Sequence, residues 1–316
     1  MTSAFIFPGQ GSQFIGMGKD LAESFADAKA VFQEVDDALG QDLSGLMFSG
    51  EADDLNLTEN TQPALMAVSM AVVRVLQKQG GLDLAKTCAF VAGHSLGEYA
   101  ALTAAGSFAL GDTAKLLKLR GQAMQRAVPV GAGAMAAILG LDYDVVADIA
   151  HKASSDGAQC ELANDNSPGQ IVVSGAKDAV EKACELAKDA GAKRALLLPV
   201  SAPFHCSLMR PAADEMKAAL AQATINAPAV PVVANVTAQA ESDPATIQNL
   251  LVDQITGRVR WRESVLWMGE NGVTDMVELG AGKVLNGLVK RINPDITVES
   301  VGTPEQVEAL IEKLSA

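Results

Sequence analysis

Thr87-Cys88-Ala89-Phe90-Val91-Ala92-Gly93-His94-Ser95-Leu96-Gly97-Glu98-Tyr99-Ala100-Ala101 is the stretch on which the fold turns. Residues 87–92 predict a buried strand, 93–97 spell G-x-S-x-G in a tight turn, and 98–105 continue as a helix. The motif by itself is common; in a strand-turn-helix setting it is not. A serine on such a turn is forced outward, and small neighbours let backbone amides approach a developing oxyanion. The helix N-terminus adds partial positive charge. Ser95 is therefore the candidate nucleophile, set against the plainer reading of a simple glycine turn.

Outward from this point the chain reads as mixed α/β. A short strand at 4–7 is stopped by Pro8 and the loop Gly9-Gln10-Gly11-Ser12-Gln13, and helical patterns follow at 17–38, 62–77 and 112–127. The middle changes rhythm, with strands at 134–140, 159–163, 170–174 and 194–200 and helices at 143–155 and 176–190. That order is β-α-β-β-α-β, the ferredoxin-like signature. It predicts a subdomain over 129–200 inserted into a large α/β domain made of 1–128 and 201–316. The last part predicts helices at 211–223, 245–254 and 261–271, strands at 230–235 and 275–278, and a final helix after Gly282.

The 316 residues are 49% hydrophobic and 20% charged, a globular composition. No apolar run approaches the roughly 18 residues of a membrane span, and Pro8 cuts short any signal-peptide core, so a cytoplasmic protein without a membrane partner is expected. Four scattered cysteines with no C-x-x-C pair point to reduced thiols and no metal site. A net charge of −14 argues against nucleic acid.

A serine nucleophile needs a base, and the chain has three histidines. His151 reads as a surface residue of its helix, and His94 should point away from the Ser95 beside it. By elimination the base is His205, in the loop Ser201-Ala202-Pro203-Phe204-His205-Cys206. Arg120 falls near the centre of the apolar face of the 112–127 helix. A charge there must be partnered. The partner is either a structural carboxylate or a substrate carboxylate held by two parallel hydrogen bonds. The loop at 8–13 is no dinucleotide fingerprint, since Phe14 holds the third glycine position, and no Walker lysine follows. It suits the second half of an oxyanion hole, offering the Gln10 amide.

Together these residues resemble the malonyl-CoA:acyl carrier protein transacylases. The resemblance spans essentially the whole chain, through Phe7-Pro8-Gly9-Gln10-Gly11-Ser12-Gln13, Thr61-Gln62-Pro63-Ala64-Leu65, Gly93 to Tyr99, Arg120-Gly121, Asn164 to Gln170, Pro203 to Cys206 and Glu278 to Leu285. It implies a hydrolase-like parallel-sheet domain with the ferredoxin-like insertion. It also implies a Ser95 nucleophile, a His205 base, oxyanion amides from Leu96 and Gln10, and an Arg120 clamp for the malonyl carboxylate. Gln254 would orient His205 through its main-chain carbonyl, which makes its side chain dispensable, although Asp253 stays open as a side-chain partner. Substrate contacts are implied at Gln62, Asn164, Asn166 and Phe204. The implied partners are malonyl-CoA and acyl carrier protein, with no cofactor and with a monomer as the default. Carrier proteins are acidic, so basic clusters such as Lys193/Arg194, Lys283 and Lys290/Arg291 would have to offset repulsion. Phe204 stands where some relatives carry serine and resembles the malonyl-selecting pattern of polyketide acyltransferases. An acyltransferase serving a polyketide synthase in trans is therefore the alternative. Ala281 stands where proline is frequent. A thioesterase would not need an arginine inside an apolar helix face, and a non-catalytic docking module would not need Ser95, His205 and Arg120 together.

Overall fold

Alternate side chains of the first strand, β1 (Thr2–Phe7), enter two different cores. Phe5 and Phe7 pack beneath the helices Thr58–Gln79 and Leu96–Ala104, while Ala4 and Ile6 face Trp261, Val265 and Leu288. A strand buried on both faces is a central strand of a parallel sheet, which is why its sequence is an unbroken apolar run. The computed structural model, which describes residues 2–315, places it so.

The remaining strands are β2 (Phe90–Gly93), β3 (Gly133–Leu139), β4 (Cys160–Ser167), β5 (Gln170–Ala176), β6 (Arg194–Leu197), β7 (Val232–Val233), β8 (Ala240–Glu241), β9 (Val273–Leu279) and β10 (Thr297–Val301). Six of them form one sheet in the order β10-β9-β1-β2-β7-β8, parallel except for β7-β8. The other four form an antiparallel sheet, β4-β5-β3-β6, with the chain order β-α-β-β-α-β expected from the sequence. Phe7 pairs with Gly93, so the Gly9–Gln10 loop and the Ser95 turn leave the parallel sheet side by side at its carboxyl edge. That is where open α/β sheets bind ligands.

The helices Tyr143–Ala153 and Lys177–Asp189 cover one face of the antiparallel sheet through Val146, Ile149 and Val180. Its other face turns Met135 and Val172 toward the Ser95 turn. The two sheets are joined by backbone as well as side chains. Asp165 N donates to Val259 O (2.9 Å), and Val259 N donates to Ala163 O (2.8 Å). Arg262 Nε reaches both oxygens of the buried Asp165 carboxylate, at 3.0 and 2.9 Å. Arg258 and Arg262 lie over the Tyr143 ring, 4.8 and 6.0 Å from its centroid.

Several boundaries differ from the sequence reading. Strand β2 begins at Phe90, because Leu84–Thr87 forms a helical turn capped by Asp83. The 17–38 helix is two, broken at Phe25, whose backbone is extended. The 230–235 strand shrinks to Val232–Val233, since the Asn235 backbone bonds Glu98 and Arg260 instead of a strand. Strand β10, the Pro304–Ser315 helix and the short helices Leu43–Ser49 and Ala52–Asn56 were not anticipated. In β10 only Val298 and Val301 are buried, too sparse a pattern to register as a strand. His151 is exposed, as expected.

Asp165→Ala leaves Arg262 without its acceptor and should lower the unfolding free energy by about 3 kcal/mol, measured by urea titration. Asp165→Asn keeps an oxygen for the guanidinium and should lose less.

Candidate active site

Ser95 sits at φ 54°, ψ −112°, in front of the Leu96–Ala104 helix. Two glycines make this turn possible. A Cβ on Gly93 would lie 1.9 Å from the Gly97 carbonyl, and one on Gly97 would lie 2.3 Å from Phe7 O. His205 also has positive φ (58°), and among the described residues the only other such non-glycine is Ala238. Strained non-glycine backbone concentrates at functional sites, and these two strained residues meet. Ser95 Oγ lies 2.8 Å from His205 Nε2.

His205 Nδ1 faces the Gln254 carbonyl at 2.9 Å and the Gly257 carbonyl at 3.2 Å. Carbonyls only accept, so Nδ1 carries the proton and Nε2 is left as an acceptor for the serine hydroxyl. Asp253 is exposed and takes no part. Burial and then the nearby Arg120 charge push the His205 pKa down to about 3, keeping the imidazole neutral.

Arg120 is 1% exposed. Its Nη1 donates to Gln62 Oε1 (2.7 Å), and its Nη2 to Gln254 Oε1 (2.8 Å) and Ser95 Oγ (3.1 Å). The guanidinium lies 5.8 Å from the Tyr99 ring centroid. Among the described residues no carboxylate forms an ion pair with it, and the Tyr99 side chain is the remaining polar neighbour of the guanidinium. The nearest carboxyl, Glu98, is reached through Gln254, whose Nε2 donates to Glu98 Oε2 (2.8 Å). Burial raises the Glu98 pKa to about 7, which weakens this group as a counter-charge.

The Gln254 side chain also donates to Ser95 O (3.0 Å). The side chain expected to be dispensable is thus hydrogen-bonded to Arg120, Glu98 and the serine backbone. Its truncation would strip partners from Arg120, Glu98 and the serine backbone together.

Gln10, Gln62, His94, Ser95, Leu96, Arg120, Asn164, Asn166, Phe204 and His205 line one cavity of about 160 Å³. Of the site residues expected from the sequence, only Gln254 stands behind the wall. His94 makes no bond to Ser95, but its ring still lines the cavity, with Nε2 2.8 Å from Asn166 Oδ1 and 3.5 Å from Asn164 Nδ2. Among the described residues, the backbone N–H groups of Leu96 and Gln10 make no hydrogen bond.

The acyl transferase domain family model matches residues 4–291. A malonyl CoA-acyl carrier protein transacylase of Bacillus subtilis is 47% identical over 311 residues, covering 98% of this chain and 96% of that one. The chain belongs to the malonyl-CoA:acyl carrier protein transacylase family. The crystal structure of an acyl-carrier-protein S-malonyltransferase from Bartonella henselae superposes with a TM-score of 0.97 at 57% identity, over the full length of both chains. A malonyl-transacylase solved in complex with a type II PKS acyl-carrier protein gives 0.95 at 43% identity, over 99% of this chain and 100% of that one.

Two residues of this transacylase site escaped the sequence reading. Glu98 stands within the quoted motif, but nothing in its spacing marks it as buried. Asn235 ends a predicted strand, a position that suits a functional side chain, yet its partners lie some 140 residues away at Gly93 and Ser95.

His205 also ties stability to pH. Below its ordinary value of 6.5 the unfolded chain takes up a proton that the folded imidazole refuses until about pH 3. The stability it contributes is complete above that ordinary value and is lost as pH falls through this window. Between about pH 7 and about pH 4.5, wild type should lose roughly 2–3 kcal/mol relative to His205→Asn, compared by urea unfolding.

Proposed function

We infer that this chain transfers the malonyl group of malonyl-CoA to the phosphopantetheine thiol of acyl carrier protein, through an ester on Ser95. One observation carries the reading. A neutral histidine acceptor and an arginine without a carboxylate partner converge on a single serine hydroxyl, at 2.8 and 3.1 Å. A malonyl ester on Oγ places its free carboxylate two carbons from the ester carbonyl, within reach of a guanidinium that close.

The cycle is ping-pong. His205 Nε2 takes the Ser95 proton as Oγ attacks the thioester carbonyl. The tetrahedral oxyanion rests on the Leu96 and Gln10 amides, each donor typically worth about 3–4 kcal/mol. Coenzyme A leaves with the proton, and the carrier thiol reverses these steps. Arg120 has a second part in this reading. Its charge is one reason His205 is a poor base, so a bound carboxylate that neutralises it raises the basicity of the imidazole. A neutral acyl group does not. Gln62, Asn164, Asn166 and Phe204 complete the pocket wall around the acyl-thioester.

The reading includes a ferredoxin-like insertion over 129–200, closing a hydrolase-like domain. It also includes a cytoplasmic monomer that uses no metal or cofactor. The net charge of −14 supports partners other than nucleic acid or anionic membrane, and the four free, buried cysteines suit a reducing compartment. No helix of the described residues is long and apolar enough to cross a membrane. A second reading gives the chain a polyketide carrier as acceptor, favoured by the likeness to the transacylase bound to a type II PKS carrier. Acceptor kinetics with both carrier types separate the two, and the fatty-acid carrier should give the higher kcat/KM.

Incubation with malonyl-CoA should leave a malonyl adduct on Ser95, detected by mass spectrometry, and Ser95→Ala should lower transfer by several orders of magnitude. Near-normal turnover in that variant would sink the mechanism.

Arg120→Ala should cost malonyl transfer roughly 2–5 kcal/mol in kcat/KM, while acetyl transfer holds or rises. Arg120→Lys should not restore malonyl selectivity, because an ammonium lacks the two-pronged geometry. Equal losses on both acyl-CoAs would show that Arg120 is structural.

A further inference from the structure

Asn235 is fully buried, and its side chain is committed to the backbone of the serine turn. Nδ2 donates to Gly93 O and Oδ1 accepts from Ser95 N, both at 2.7 Å. These two groups lie on either side of His94 and fix the two peptides that lead into Ser95, the residue held at φ 54°, ψ −112°. A non-glycine residue in such a region costs of order 1–3 kcal/mol and persists only where its surroundings over-determine it.

Asn235 is itself fixed from other directions. Its N–H donates to Glu98 Oε2 (2.9 Å), its carbonyl accepts from Arg260 N (3.0 Å), and Gln254 Nε2 lies 3.4 Å from Oδ1. Glu98 belongs to the helix that follows Ser95, and Gln254 to the helix whose carbonyl holds His205. The asparagine therefore ties the serine turn to the element that carries its base.

We propose that Asn235 is a positioning residue for acyl transfer. It clamps the peptides that lead into Ser95, so that Oγ stays aligned with His205 Nε2. It also occupies the Ser95 N–H, which leaves the Leu96 N–H as the free donor of the turn. This proposal rests on the reading of Ser95 as the acyl carrier. Without the clamp, Gly93 O and Ser95 N lose their partners, the strained φ relaxes, and the hydroxyl moves off the histidine. Substrate binding should change far less than turnover, because Arg120 and Gln62 make no direct hydrogen bond to Asn235 and meet it only through the long 3.4 Å contact of Gln254.

The test compares wild type with Asn235→Ala, Asn235→Ser and Asn235→Asp. It measures kcat and KM for malonyl-CoA, the rate at which a phosphonyl fluoride labels Ser95, and the thermal midpoint. In folded Asn235→Ala, kcat and the labelling rate should both fall on the order of 10²-fold, the penalty for misplacing a reacting group by about 1 Å. KM should change far less. Asn235→Asp keeps the acceptor for Ser95 N and loses the donor to Gly93 O, so its losses should be intermediate. Should Asn235→Ala fail to fold, the serine and aspartate variants carry the same comparison. Wild-type kcat and labelling rates in the folded variants, with only the thermal midpoint lowered, would overturn the proposal and leave Asn235 a structural residue. Absence of label and of malonyl adduct on Ser95 in wild type would instead overturn the reading of Ser95 itself.

Discussion

A guanidinium buried to 1% exposure with no carboxylate of its own is the constraint around which the site is arranged. An isolated buried charge costs several kcal/mol even after the surroundings relax. The fold offsets this with neutral acceptors, the amide oxygens of Gln62 and Gln254, and with the face of Tyr99. The compensation is incomplete: no carboxylate pairs with the guanidinium, and Glu98 is kept at one remove by Gln254. A site arranged this way has unsatisfied affinity for an anion and little for a neutral group. In the proposed reading, selectivity for a dicarboxylic acyl group rests on these electrostatics and not on a tightly fitted cavity.

The same charge acts on the chemistry. His205 is oriented by carbonyls and not by a carboxylate, so its imidazolium has only the support of two carbonyl dipoles, which burial together with Arg120 outweighs. In a serine-histidine-aspartate triad the acid performs that stabilisation. In the proposed mechanism a substrate that brings its own carboxylate supplies that negative charge.

Such electrostatics require a rigid frame. Ser95 and His205 both have positive φ, and each is held by groups remote in sequence: Asn235 and Gln254 brace the serine turn, and the Gln254 and Gly257 carbonyls hold the imidazole. The antiparallel sheet is fixed in turn by the Asp165–Arg262 pair and the Val259 backbone bonds, which set the Asn164–Asn166 wall opposite the elbow. The cleft between the two sheets thus has a defined width.

Much of this was legible in the amino-acid order. The parallel core, the β-α-β-β-α-β middle segment, Ser95, His205 and the anomalous Arg120 all depend on local periodicity or on residues adjacent in the chain. The uses of Gln254, Glu98 and Asn235 were not legible, and the sequence reading treated the first of these side chains as expendable. Strand β10 was missed because only two of its side chains reach the core. The sequence by itself determined which residues could do chemistry, because helix and strand periods and glycine turns act over a few residues. Only the tertiary structure decided how those residues are held and charged. Burial, the field of a distant arginine and hydrogen bonds spanning some 140 to 160 residues arise only when the chain has closed on itself.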